Sequence, residues 1–147
     1  MKTFLVDADG VALKLHKYFS EIYSEMRNVP LEIITPFFKE IFFDCQRGKA
    51  DLKESLLPYL EKWQWTGTAD EFIDLWCRSD VEGNQEVLDI IKQLRQRGNK
   101  CYLTTDQEKY RSEYIEQNLP LAEYFDGAFY SWQLGHKKSE PEFFQAI

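Results

Sequence analysis

Apolar residues fall in short runs and in helical stripes along the chain. Thr3-Phe-Leu-Val-Asp7 is a short apolar run that stops at acidic residues and Gly10, the pattern of a strand buried in a parallel sheet. Leu15, Phe19, Ile22 and Met26 then recur at helical spacing, and Pro30 closes the stretch. Thr35-Pro36 reads as an N-cap followed by proline at the first helical position, opening a helix through Phe38, Ile41, Phe42 and Cys45 that stops at Gly48. Leu52, Leu56, Tyr59, Leu60 and Trp63 mark another helix, which Pro58 is expected to kink or split. Thr68-Ala-Asp-Glu71 is a capping box ahead of Phe72, Leu75 and Trp76. Residues 14–78 thus read as an all-helical block.

Beyond that block the two periods alternate. Asn84 opens an amphipathic helix with Val87, Leu88, Ile91 and Leu94, ending at Arg95, Arg97 and Gly98. Cys101-Tyr-Leu-Thr104 reads as a second buried strand. Thr105-Asp-Gln-Glu108 reads as a second capping box, so a helix over 106–117 is expected directly after that strand. Residues 127–131 form a third strand pattern, and Ser139-Glu-Pro-Glu142 a third capping box, opening a helix through Phe143 and Phe144 that is still running at Ile147. Strands alternating with helices predict an α/β fold with a parallel sheet and right-handed crossovers. The helical block interrupts it after strand one, so it is expected over the carboxyl ends of the strands, where open α/β sheets place ligands.

Composition narrows the function. A length of 147 residues suits one domain with an insert, and the 44% hydrophobic and 29% charged shares exclude a disordered tail. No apolar run approaches the ~20 residues of a membrane span. The formal net charge of −7 argues against nucleic acid or an anionic membrane as partner. It leaves room for a small anionic substrate, which needs only a local cation or two. Cys45, Cys77 and Cys101 are odd in number and far apart, neither a disulfide framework nor a zinc pattern. They suit small buried residues in a reducing compartment. With a strand pattern starting at Thr3 in place of a signal-peptide h-region, a cytoplasmic location is expected. The oligomeric state is not legible.

Three polar groups fall at the ends of the strand patterns. Asp7-Ala8-Asp9-Gly10 offers two carboxylates that can divide nucleophilic and acid/base work if their environments differ. Its bland reading is an acidic loop. An EF-hand is excluded, because Val11 and Leu13 stand where oxygen ligands are needed. Thr104-Thr105 can hydrogen-bond a phosphate oxygen beside free helix N–H groups, or simply cap the next helix. Gly135-His136-Lys137-Lys138 can neutralise a carboxylate–phosphate pair, or be solvated surface charge. Tyr18, Phe19, Phe42, Phe43 and Trp63 in the helical block are candidates either for a pocket wall or for its core.

Together, Phe4-Leu-Val-Asp-Ala-Asp-Gly10, the helical insert, Leu103-Thr-Thr-Asp106 and residues 135–144 resemble the first three motifs of the haloacid dehalogenase (HAD) superfamily. The insert is similar to the helical cap of that superfamily's first subclass. Residues 84–147 most resemble its α-D-glucose-1-phosphate phosphatase and epoxide-hydrolase N-domain-like members. The resemblance implies a Rossmann-like core of residues 1–13 and 80–147 with a helical cap of residues 14–79. It implies a Mg²⁺-dependent phosphatase of a small phosphorylated metabolite, a sugar phosphate being one candidate. Asp7 would be the nucleophile, carrying an aspartyl-phosphate, and a Mg²⁺ ligand. Asp9 would be the general acid/base, its carbonyl also on Mg²⁺. Thr104 would hold the phosphoryl group, with Thr105 and Gly10 beside the substrate, and Lys138 would pair with Asp7 and the phosphate.

Three departures accompany the resemblance. Thr105 stands where the family often has Asn, and Ser139 where Pro is common. The acidic fourth motif, which follows a further strand and supplies Mg²⁺ ligands, is not reached by Ile147, so the expected core lacks its C-terminal part. A dehalogenase is an alternative that Asp9 argues against, and a catalytically impaired HAD fold with a binding role is another.

Overall fold

A computed structural model of the protein describes residues 1–79 and 81–147. Strands β1 (Thr3–Val6), β2 (Lys100–Thr105) and β3 (Gly127–Tyr130) form one parallel sheet in the order β1-β2-β3. Val6 lies opposite Leu103, and Thr105 opposite Tyr130, so the three carboxyl ends emerge side by side. The central strand β2 buries Cys101, Leu103, Thr104 and Thr105, as a parallel strand covered on both faces does. Helix α6 (Gln85–Gln96) precedes β2 and packs Leu88 and Ile91 beneath it. Helix α7 (Lys109–Asn118) and a 3-10 turn at Pro120–Glu123 lead to β3. Ala8, Leu13, Ile91, Leu103, Ile115 and Tyr130 belong to one apolar cluster around this sheet.

The block between β1 and α6 has helices α1 (Phe19–Arg27), α2 (Leu31–Lys39), α3 (Ile41–Gln46), α4 (Leu52–Leu60) and α5 (Ala69–Arg78). It has its own apolar cluster, with Tyr23, Phe37, Trp63 and Phe72 all fully buried. The buried polar tips are satisfied: Tyr23 Oη donates to the Trp63 carbonyl (2.7 Å) and Trp63 Nε1 to the Ile33 carbonyl (3.2 Å). The boundary expected at residues 79/80 falls on Asp80, which lies outside the described residues.

Several element boundaries differ from the sequence expectation, each for a local reason. Helix α1 starts at Phe19 and buries Phe19 and Tyr23, four residues apart, while Leu15 lies ahead of it and Met26 is exposed. The second helix starts at Leu31 rather than after Thr35, and Pro36 sits inside it. Burial of Ile34 and Phe37 on one face outweighs the amide that proline removes. The backbone of Glu40 (φ −122°, ψ −76°) then separates α2 from α3. Helix α4 runs unbroken through Pro58, held by Leu56 and Leu60 in the core, and leaves Trp63 in the turn beyond. Strand β2 continues to Thr105, so the expected box there does not form. Glu108 caps α7 instead, accepting N–H bonds from Tyr110 (2.8 Å) and Arg111 (2.6 Å). Ser131 leaves the third strand to begin the short helix α8 (Ser131–Leu134). Helix α9 (Pro141–Gln145) is preceded by Glu140, not Ser139, and its Phe143 is fully buried. The Thr68–Glu71 box forms as expected. All three cysteines are free and buried. Among the described residues no helix is long and apolar enough to cross a membrane.

Candidate active site

β1 ends at Val6 and the chain turns at once. Ala12 N–H donates to the Asp7 carbonyl (3.2 Å), Leu13 N–H to the Ala8 carbonyl (2.8 Å) and Gly10 N–H to the Leu13 carbonyl (2.8 Å). Gly10 has φ +80°, a left-handed conformation that glycine adopts without penalty. This turn presents Asp7 and Asp9 into a cavity of about 760 Å³, lined on one side by the strand ends and on the other by the helical block.

Lys138 reaches Asp7 from the loop after β3. Its Nζ lies 2.5 Å from Asp7 Oδ2, while Asp7 Oδ1 accepts the Ala8 N–H (2.8 Å). The Lys138 backbone N–H donates to Asp106 Oδ1 (2.8 Å), and the Asp106 carbonyl accepts from Gln46 Nε2 of α3 (2.9 Å). The loops after β1, β2 and β3 are thereby tied together.

Asp9 is held separately. Its Oδ2 accepts from Gln107 Nε2 (2.6 Å), and its Oδ1 lies 3.6 Å from Arg111 Nη2. Gln107 Nε2 also reaches Thr105 Oγ1 (3.3 Å), and Arg111 Nη1 donates to the Cys77 carbonyl in α5 (2.7 Å).

The two threonines part company. Thr105 lines the cavity, whereas Thr104 does not: its hydroxyl donates to the Val6 carbonyl (3.4 Å). Successive strand residues face opposite sides of a sheet, so only one of the pair can meet the cavity. Gly10 likewise shapes the turn without lining the cavity. His136 faces Glu140 (3.9 Å) outside the lining, while Lys137 lines the cavity with its ammonium 3.9 Å from the Phe43 ring centroid. Burial pulls the Lys137 ammonium below its ordinary pKa.

The far wall is aromatic. Phe38 and Phe42 lie 5.1 and 5.0 Å from Trp76, and Phe19 stacks on the same indole at 5.2 Å. Tyr18 and Phe43 complete it, while Trp63 belongs to the core of the block.

Gln107 and Arg111 are site residues the sequence reading missed, whereas Asp106 closes the second motif it quoted. A usable signal exists for Arg111. It lies in the first turn of α7, where the helix dipole disfavours a cation, so a local conflict marks it. Gln107 has no such signal.

Known proteins place this fold. The family model for haloacid dehalogenase-like hydrolases matches residues 1–147. No curated protein matches the chain. Among solved structures, the HAD family enzyme bt-2542 of Bacteroides thetaiotaomicron superposes with a TM-score of 0.79 at 21% identity, covering 99% of this chain and 76% of that one. The same enzyme in complex with magnesium and inorganic phosphate gives 0.76 at 20% identity, with 99% and 76% covered. A HAD phosphatase from Thermococcus onnurineus gives 0.59 at 19% identity, with 99% and 69% covered. At these identities the likeness is one of fold.

Proposed function

The chain belongs to the haloacid dehalogenase-like hydrolases, and on that premise we propose that it is a Mg²⁺-dependent phosphatase of a small phosphorylated metabolite, working through an aspartyl-phosphate on Asp7. The observation that carries this reading is the Asp7–Lys138 pair at 2.5 Å with the second carboxylate, Asp9, in the same cavity.

In the first step Asp7 Oδ attacks phosphorus. The bond to the leaving oxygen breaks, its electron pair stays on that oxygen, and the Asp9 carboxyl supplies the proton. In the second step the Asp9 carboxylate takes a proton from water, the water oxygen bonds to phosphorus, and the Asp7–phosphorus bond breaks to release phosphate. Lys138 offsets the charge that builds on the phosphoryl oxygens, and the Thr105 hydroxyl, on the cavity wall, is the strand-end donor to that group.

The donors fit Mg²⁺ in kind. It takes hard oxygens, binds through one or two carboxylates and keeps several waters, and the Asp7 carboxylate and Asp9 carbonyl are such oxygens on one turn. Bound there, the ion would neutralise negative charge on the phosphoryl oxygens. Among the described residues no cluster of three or more His, Cys, Asp or Glu side chains is placed to hold a metal. A neighbour of the same fold crystallised with magnesium and inorganic phosphate supports both ligands.

The helical block acts as a cap, its aromatic wall facing the part of the substrate beyond phosphorus. Sugar phosphates are one class to test, since a pyranose ring can lie on such a wall. The test is phosphate release from a panel of phosphomonoesters with Mg²⁺ and with EDTA. Mg²⁺-dependent release from at least one ester, lost in Asp7→Asn, is expected. Halide release from 2-haloacids without phosphate release would overturn the reading in favour of a dehalogenase.

A further inference from the structure

We propose that Gln107 and Arg111 are positioning residues that together orient the Asp9 carboxylate toward the leaving group, an inference that rests on the phosphatase reading above. Asp9 sits on a turn, and its side chain is 40% exposed. A free carboxylate there would rotate about two side-chain bonds. Proton delivery needs it near one orientation, within hydrogen-bond reach of the leaving oxygen.

The structure supplies both constraints. Gln107 Nε2 donates to Oδ2 at 2.6 Å, and the Arg111 guanidinium faces Oδ1 at 3.6 Å. Both partners are themselves fixed. Gln107 is 5% exposed, and its carbonyl accepts from Ser131 Oγ, at the start of α8 (3.1 Å). The Arg111 side chain is 11% exposed, and its Nη1 is anchored on the Cys77 carbonyl in the last turn of α5 (2.7 Å). That carbonyl lies among the last four of the helix, which lack an intrahelical partner. Both arms of the clamp therefore come from the α/β core, and the helical block supplies the anchor of one, the Cys77 carbonyl.

The chemistry gives a readout that a merely structural role would not move. p-Nitrophenolate leaves phosphorus without help, whereas phenolate needs a proton far more, and the two esters have nearly the same shape. The experiment compares kcat/KM for phenyl phosphate and p-nitrophenyl phosphate in the parent, Gln107→Met, Arg111→Met and Arg111→Lys, with Mg²⁺ present. kcat/KM reports the step in which the leaving group departs. Expected is a loss of roughly tenfold or more on phenyl phosphate in both Met variants, below the 10²–10⁴-fold of losing the acid altogether. On p-nitrophenyl phosphate the loss is less than about threefold, and Arg111→Lys recovers part of the phenyl phosphate rate. Equal losses on the two esters, or no loss, in variants whose circular dichroism matches the parent would overturn the clamp alone. The phosphomonoester panel decides the phosphatase reading separately: phosphate release by the parent from none of its esters, the two aryl esters included, overturns that reading and the clamp with it. If one Met variant fails to fold, the other and Arg111→Lys still decide the ester ratio.

Discussion

Arg47 and Glu140, 93 residues apart in sequence, meet as a fork: Arg47 Nη2 lies 2.8 Å from Glu140 Oε1, and Nε lies 3.1 and 3.3 Å from the two oxygens. Arg47 directly follows α3, and Glu140 stands two residues after Lys138. The same carboxylate accepts the Lys137 N–H (2.7 Å). The pair thus joins the helical block to the loop that carries the lysine facing Asp7.

Arg47→Ala should loosen that loop. The side chains are 22% and 30% exposed, so a small loss of stability is expected, together with a fall in kcat/KM. Arg47, foremost among the causes, holds the Glu140 carboxyl down to about 2 from its ordinary 4.5. A depressed carboxylate pKa favours the folded state above about pH 4.5, and this contribution is lost as the pH falls toward 2. Urea titrations between pH 2 and 7 should show a shallower acid-side decline in the variant than in the parent. Parallel curves would remove the pair from the acid response.

Gly48 docks the same corner. It has φ +67°, and an added Cβ would lie 2.3 Å from the Trp132 carbonyl oxygen. Gly48→Ala therefore combines left-handed strain with a backbone clash, and a loss of more than about 2 kcal/mol is expected. Gly98 has φ +80° and open space around its Cβ position. Gly98→Ala should cost only the strain, about 1–2 kcal/mol. Thermal melts of the two variants side by side check the difference.

Glu108 gives the opposite pH response. Burial pushes its carboxyl up to about 7, against the Tyr110 and Arg111 N–H bonds that favour the charged form. The folded state then holds a proton that the unfolded chain has released. This contribution is full below about pH 4.5 and is lost as the pH rises through 7. Glu108→Gln should flatten stability between pH 5 and 8 while keeping an acceptor for the helix N-terminus. Denaturant midpoints across that range measure it.

Asp7→Asn should abolish turnover with little change in the fold. The Asp7 side chain is 40% exposed and its lysine partner 23%, so losing the ion pair costs less than about 1 kcal/mol. Phosphate release and a thermal melt on one preparation separate the two effects. Turnover near the parent's level would remove Asp7 as nucleophile.

Core packing gives the steepest stability change. Trp63 is fully buried at the centre of the helical block and is bonded through both its Nε1 and its carbonyl. Trp63→Ala should cost about 3–5 kcal/mol, read as a fall in the denaturant midpoint.

Local patterns along the chain suffice for the alternation of strands and helices, the helical insert after β1, the placement of Asp7, Asp9, Thr104 and Thr105 at or just past strand ends, and that of Lys138 in the segment after β3. Those features are written in local periodicity and caps, which act over a few residues. Helix starts were less legible. Whether Leu31 or Thr35 opens α2 depends on which face Ile34 and Phe37 can bury, and that surface comes from other elements. Which of Thr104 and Thr105 meets the cavity is settled in the folded sheet, because strand register sets the facing. The tertiary structure alone brought Gln107 and Arg111 to Asp9, Gln46 to Asp106, and Arg47 to Glu140. These contacts join residues from 60 to 102 positions apart, beyond the reach of any periodic pattern, and they form only in the packed fold. Residue spacing records the turn of a helix or the pleat of a strand, but a side chain's partner across the fold is set by packing.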